Sequence, residues 1–216
     1  MQPYYERDGI TIYHGDCRDV LPTLAPVDCI ITDPVWPNAT ADIPGREDPL
    51  GLLTAAAVHF PRLAKRVVVQ LGCDSDPRFL TAIPRELPFF RTCWLEYPMP
   101  NYHGRVLYTS DVAYVFGVPP VSEKGAHSMP GKVTGRDATN GHRPAHPCPR
   151  QLVHVKWLCR WFARGTVLDP FCGSGTTLLA AQAAGYPAIG IEISEEYCEV
   201  AVKRLAQLTL ALSGAE

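Results

Sequence analysis

Three carboxylates, each closing an apolar β-type run, are the side chains of this sequence best placed to do chemistry. Asp169 ends the first three residues of Val167–Thr177, VLDPFCGSGTT, where a glycine-rich corner leads into a helix. Gly173 and Gly175 let the backbone turn sharply and approach a ligand without a Cβ in the way. The N–H groups of the following helix then face that ligand, with the positive end of the helix dipole behind them. The pattern is neither G-x-G-x-x-G nor a phosphate-binding P-loop, because the P-loop lysine is missing. Glu192 ends AIGIE, 19 residues after Gly173. A carboxylate there can accept hydrogen bonds from both hydroxyls of a ribose, or it can be a solvated acid at a strand end. Asp33, in CIITDPVWPN (Cys29–Asn38), precedes a proline that biases it to an extended conformation and fixes the direction of its carboxylate. Trp36 adds a flat face beside it. An acceptor next to a stacking platform suits the holding of an aromatic amine whose nitrogen reacts. The same residues also fit a plain strand-end turn with a partly buried tryptophan.

Two further segments carry polar groups. In HGDCRDVL (His14–Leu21) Asp16 can cap a helix, or it can line the same cleft as Asp33 from a neighbouring strand end. In HPCPRQLVHVKWLCRWF (His146–Phe162) two prolines fix the approach to a helix whose first turn carries Arg150 and Gln151. His142, His146, Cys148 and His154 match no structural zinc spacing, and no metal site is expected.

The elements that must hold these groups follow from periodicity. β-type runs cover Ile10–Tyr13, Cys29–Thr32, Val67–Leu71, Phe89–Glu96, Val112–Phe116, Thr166–Leu168 and Ala188–Ile191, and helical patterns cover Leu50–Leu63, Gln151–Phe162, Thr176–Ala184 and Glu195–Leu210. Seven strands interleaved with helices predict an α/β sheet covered on both faces. The pair Phe89–Glu96 and Val112–Phe116 lacks an intervening helix and is expected to form an antiparallel hairpin at one edge. The stretch 118–149, rich in Gly, Pro, Ser and His, is too long for a simple connector. Residues 1–216 read as one domain with that stretch inserted.

Composition narrows the setting. Apolar residues make up 46% and charged residues 19%, which is ordinary for a globular protein. The net charge of −2 gives no overall attraction to nucleic acid, yet Lys124, Lys132, Arg136, Arg143 and Arg150 make the 122–150 segment locally basic. Eight cysteines without a C-x-x-C pair, several inside apolar runs, suggest a reduced, cytoplasmic protein. No secretory signal or membrane-length apolar run is present.

Taken in order, these blocks resemble the permuted (β-class) DNA amino-methyltransferases, the N6-adenine/N4-cytosine family. A G-D-C strand end comes first, followed by a (D/N/S)-P-P-(Y/F/W) box. A variable region precedes an H-P-x-x-K-P-like helix lead-in, D-P-F-x-G-S-G-T and an acidic strand end. Together they cover nearly the whole chain. The resemblance implies a Rossmann-like, mostly parallel seven-stranded sheet in circularly permuted motif order, and S-adenosylmethionine as cofactor. It implies that Asp169, Phe171, Cys172, Gly173, Ser174, Gly175 and Thr176 surround the cofactor, with Glu192 and Ile193 at its ribose side. His146, Pro147 and Arg150 would close the other side, and Asp16, Cys17 and Asp33 would border the cleft. Asp33, Pro34, Val35 and Trp36 form the implied catalytic box. In it a base flipped out of double-stranded DNA stacks on Trp36 and donates its amine hydrogens to Asp33 and the Pro34 carbonyl. Such a transfer calls for neither a metal nor a covalent enzyme intermediate.

Two departures stand out: Val35 replaces the usual second proline, and HPCPR puts Arg150 near the usual lysine. The initial Asp of the box is commoner in the adenine-N6 members, so adenine is the expected target and cytosine N4 the alternative. A catalytically weakened DNA-binding regulator is a further alternative, motivated by Val35. Lys124, Lys132, Arg136, Asn140, His142 and Arg143 are the expected DNA contacts, some to phosphates and some to base edges. So short a recognition region reads few base pairs, which makes a homodimer a reasonable expectation. The family resemblance implies a prokaryotic or phage-encoded protein in the cytoplasm, in the setting of restriction–modification. A nicotinamide oxidoreductase on a similar sheet would leave Asp33 and Trp36 without a role.

Overall fold

A computed structural model describes residues 2–39, 43–103, 105–120, 129–137 and 150–213. Among these residues nine strands form one sheet: β1 (Tyr5–Arg7), β2 (Ile10–His14), β3 (Cys29–Thr32), β4 (Arg66–Gly72), β5 (Phe89–His103), β6 (Val106–Gly117), β7 (Lys132–Thr134), β8 (Val167–Asp169) and β9 (Ala188–Glu192). Their order across the sheet is β1-β2-β9-β8-β3-β4-β6-β5-β7. β2, β9, β8, β3 and β4 run parallel, and β6 and β5 close the other side as antiparallel partners. The helices are α1 (Cys17–Val20), α2 (Pro49–Ala57), α3 (Phe60–Leu63), α4 (Leu152–Phe162), α5 (Thr176–Ala183) and α6 (Glu195–Ser213).

The alternation of side chains along each strand splits the core into two layers. Val67, Val69 and Leu71 of β4 pack with α1, α2 and α3 through Val20, Leu53, Ala57, Phe60 and Leu63. Val68 of β4 and Ile31 of β3 face the other way, onto Val155, Leu158 and Phe162 of α4 and Leu178 and Leu179 of α5. Because both faces are covered, β3 and β4 read as unbroken apolar runs rather than alternating ones.

All seven expected strands form, and the α/β sheet with helices on both faces is as the sequence indicates. The differences have local causes. β1 pairs antiparallel with β2, turning through Asp8 and Gly9, which both have positive φ. The hairpin β5–β6 is much longer than its apolar cores, because its outer ends run through polar and proline-containing sequence that carries no alternation signal. Within 118–149, β7 joins the sheet edge parallel to β5. The single helix expected over Leu50–Leu63 is two, since Pro61 cannot donate to residue 57 and its ring would clash with that carbonyl. Among the described residues no helix is long and apolar enough to cross a membrane.

Candidate active site

The loops after β3 and β8 leave the sheet on opposite sides. β8 continues into α5, which belongs to one core layer, and β3 leads to α2, which belongs to the other. These strands are neighbours in the sheet, so their C-terminal ends diverge and open a crevice between them, the switch point at which open α/β sheets bind ligands. The crevice is a cavity of about 830 Å³ lined by Asp16, Asp33, Trp36, Asp169, Gly173 and Glu192, among others. Every carboxylate picked out by its position at a strand end therefore reaches one cavity.

On the β8–β9 side the glycine corner is built by its own backbone. Gly175 adopts φ 80° and immediately precedes α5, and a Cβ there would come within 2.8 Å of the Ala201 Cβ on α6. No residue but glycine satisfies both the turn and that close packing. Glu192 accepts the Gly173 N–H at 2.8 Å on Oε2 and the Ser194 N–H at 2.8 Å on Oε1. Each oxygen keeps a lone pair for a further donor, which a ribose diol supplies. Burial raises the Glu192 carboxyl above its ordinary value, against the backbone N–H groups that favour its charge. Asp169 is only 2% exposed. It accepts the Thr32 hydroxyl at 2.8 Å and the Phe171 N–H at 3.1 Å. Burial still pushes it up to about 6, with Thr177, Phe171 and Thr32 pulling the other way and the Asp33 charge adding to the rise. Phe171 and Ile193, the latter 47% exposed, supply apolar surface at the cavity wall.

On the β3 side, the Trp36 indole N–H donates to Asp33 Oδ1 at 2.9 Å, which fixes ring and carboxylate together. The loop is tied down further on, where Ser75 donates to Asn38 at 2.7 Å. The benzo part of the indole abuts the end of β4, where a Cβ on Gly72 would lie 2.5 Å from Trp36 Cζ3. Arg150 donates through Nε to Asp33 Oδ2 and through Nη1 to Asp111 Oδ2, the latter at 3.1 Å. Its guanidinium carbon lies 3.8 Å from the centroid of the Trp36 ring. Tyr97 donates to the same Asp111 oxygen at 2.6 Å. Burial pushes the Asp33 carboxyl up, and the neighbouring Arg150 charge and hydrogen bond pull against it. Burial works against the Arg150 charge, but Asp33 and Asp111 hold its pKa above the ordinary value. The arginine is aimed by the helix it precedes: Asp137 accepts the Leu152 and Val153 N–H groups at 2.5 and 3.0 Å, anchoring the first turn of α4.

The structure brings Asp16, Cys17, Asp33, Pro34, Val35, Trp36, Arg150, Asp169, Phe171, Cys172, Gly173, Ser174, Thr176, Glu192 and Ile193 to the cavity wall. Asp16 does both things the sequence allowed, capping α1 through the Arg18 N–H at 2.8 Å while lining the cavity. Gly175 acts one step back, as the turn residue. Arg150, expected on the cofactor side, lines the cavity and makes its contacts with Asp33, Asp111 and Trp36. His146 and Pro147 lie outside the described residues, as do Lys124, Asn140, His142 and Arg143. Lys132 sits on β7, exposed, with its ammonium 3.1 Å from Glu96 of β5. Arg136 is exposed just beyond β7. His154 is buried on α4 against the Glu96 carbonyl at 3.0 Å, and burial lowers its pKa. Among the described residues no three or more His, Cys, Asp or Glu side chains cluster as a metal site.

Sequence reading missed Asp111, Tyr97, Thr32 and Gly72. The available signal for Asp111 was an acid inside the strand run VLYTSDVAYVFG, where Asp is disfavoured.

A strand-end crevice of this construction, lined by acids and a glycine corner, defines an α/β protein with a ligand site at the switch point of its sheet. Comparison with known proteins adds likenesses to DNA methylases. The N6/N4 DNA methylase family model matches residues 105–203. The type II methyltransferase M.ScaI of Streptomyces caespitosus is 38% identical over 79 residues, 36% of this chain. That match spans only 26% of M.ScaI. The putative methylase YubD of Escherichia coli K12 is 28% identical over 92% of this chain and 91% of its own. Among solved structures, the M1.HpyAVI–SAM complex has a TM-score of 0.67 at 24% identity and covers 91% of this chain and 100% of its own. The cytosine-N4-specific PvuII DNA methyltransferase has a TM-score of 0.74 at 17% identity, over 100% and 96%. Over these stretches the chain is similar to the DNA amino-methyltransferases, the group that comprises the N6-adenine and N4-cytosine enzymes, and its fold is theirs.

Proposed function

We propose that this chain transfers a methyl group from S-adenosylmethionine to the exocyclic N6 of an adenine flipped out of double-stranded DNA. The observation that carries the reading is the pairing of Asp33 with Trp36, joined at 2.9 Å, across one cavity from Glu192 and the glycine corner. The cavity, about 830 Å³, is large enough for a nucleoside-sized cofactor and the edge of a base. The cofactor supplies an electrophilic methyl group on a sulfonium.

The chain's residues do the rest by position and electrostatics. Glu192 accepts the ribose hydroxyls, Phe171 and Ile193 flank the nucleoside, and the corner from Asp169 to Thr176, with Asp16 and Cys17, encloses the methionine part. The ionised Asp169 favours the cofactor's ammonium. Asp33 and the Pro34 carbonyl accept the two amine hydrogens, which draws the nitrogen lone pair out of ring conjugation and aims it across the cavity. As the new N–C bond forms, Asp33 stabilises the positive charge that develops on the nitrogen until a proton leaves it. Val35 leaves these two acceptors and the aromatic in place.

Adenine is favoured over cytosine because Asp heads the box, as is commoner in the adenine members that the chain resembles. Target reading is assigned to the 118–149 insertion, with Lys132, Arg136 and, beyond the described residues, Lys124, Asn140, His142 and Arg143 as contacts. A homodimer would extend the short reading frame of one copy. The test is incubation with labelled S-adenosylmethionine and mixed-sequence duplex DNA, then nucleoside mass spectrometry. N6-methyladenine is the expected product, and Asp33→Ala is expected to lower its formation by about 100-fold or more while cofactor binding persists. N4-methylcytosine would overturn the base assignment. Label found only in RNA or protein would sink the DNA assignment.

A further inference from the structure

In the structure, Arg150 makes both of the contacts that the reading above assigns to the acceptor base. Its planar guanidinium lies over the Trp36 ring with Cζ 3.8 Å from the centroid. One of its N–H groups donates to Asp33 Oδ2, while the indole N–H takes Oδ1. A flipped base with an exocyclic amine is also a planar donor group that stacks and donates to a carboxylate. Both cannot use the same ring face and the same oxygen at once. The far end of the indole offers no second place, because Gly72 packs against its benzo carbons.

We propose that Arg150 is an internal stand-in for the acceptor base, a positioning residue that keeps the acceptor subsite closed until a base displaces it. The inference rests on the function proposed above. The physical reason for such a stand-in is the charge beneath it. Asp33 and Asp111 both point at the same spot and are largely shielded from water, so a cation between them removes their mutual repulsion. Arginine suits the position because its charge is delocalised over a plane that stacks on an aromatic ring. Its long side chain can withdraw by rotation alone, leaving α4 anchored by Asp137. The closed state then acts as a tax on base affinity: the apparent Kd rises by the inverse of the open fraction.

The test uses free acceptor bases, which makes it independent of the unknown recognition sequence. 9-Methyladenine and 1-methylcytosine are titrated by calorimetry into the full chain saturated with S-adenosylhomocysteine, so that the cofactor site is filled. Arg150→Ala is expected to bind the preferred base about tenfold or more tightly than the native chain, as a subsite closed about nine-tenths of the time requires. Arg150→Lys, which keeps the charge but not the plane, is expected to fall between them. Methylguanidinium added to Arg150→Ala is expected to weaken base binding back towards the native value, by competition for Trp36 and Asp33. Unchanged or weaker base binding in a folded Arg150→Ala overturns the proposal, as does methylguanidinium that strengthens binding. If the native chain methylates DNA yet Arg150→Ala gains no base affinity, only the stand-in falls. If no methylated nucleoside forms and neither base binds either protein, the function proposed above falls and takes the stand-in with it.

Discussion

Replacing Asp169 by Asn should change how the stability of this protein depends on pH, by an amount set by the burial of one carboxyl. Burial raises Asp169 from 3.8 to about 6 in the folded chain, against hydrogen bonds from Thr177, Phe171 and Thr32. The unfolded chain loses this proton near pH 4, whereas the folded chain holds it to about pH 6. Between those values the folded state binds more protons, so stability falls as pH rises. A shift of about two units corresponds to about 3 kcal/mol, present in full below the unfolded pKa and gone above the folded one. Asn keeps the shape and an acceptor for Thr32 but cannot ionise. Urea unfolding of both proteins across about pH 4.5 to 7.5 isolates the effect, because the other titrating groups largely cancel in the difference. The native chain's stability relative to Asp169→Asn should fall by about 2 kcal/mol over that range. A flat difference, or one rising with pH, would refute the claim that burial dominates at Asp169. The same titration predicts that affinity for S-adenosylmethionine weakens below about pH 6, and that this pH dependence is lost in Asp169→Asn.

Two further substitutions probe the acceptor side and the core. Gly72→Ala puts a methyl group 2.5 Å from Trp36 Cζ3 and 2.9 Å from Asp74 Oδ1, so the indole must move away from Asp33. Methyl transfer should drop about 100-fold with cofactor affinity unchanged, and full activity in this variant would show that the ring position is not critical. Gln70 is buried on β4, and neither of its amide atoms has a hydrogen-bond partner among the described residues. Gln70→Met, of similar volume, should raise stability by about 1 kcal/mol in urea titrations, and a loss of stability would mean that the amide is satisfied after all.

Much of the fold was legible because buried parallel strands leave continuous apolar runs, as in Cys29–Thr32 and Val67–Leu71, and α4 and α6 leave a 3.6-residue period. The parts that were not legible are those whose pairing partner lies far away in sequence. β7 is three residues, KVT, with no apolar run, and exists because the β5 edge offers Trp94–Glu96 as a parallel partner. The outer hairpin survives without alternation because each of its strands supplies the other's hydrogen bonds.

The site divides in the same way. Sequence by itself nominated the candidate residues at the strand ends: Asp33 with Trp36, Asp169 with its glycine corner, and Glu192 one strand later. Strand direction puts such residues at one edge, so local pattern was sufficient to nominate them. Tertiary structure alone decided that β3 and β8 are neighbours whose loops diverge, which turns three separate strand ends into one cavity. It also decided the surroundings of Asp33. Asp111 and Tyr97 come from a hairpin about 70 residues away, and Arg150 from the start of α4, 117 residues on. Their contacts depend on distance in space and on shielding from water, quantities that spacing along a chain does not encode.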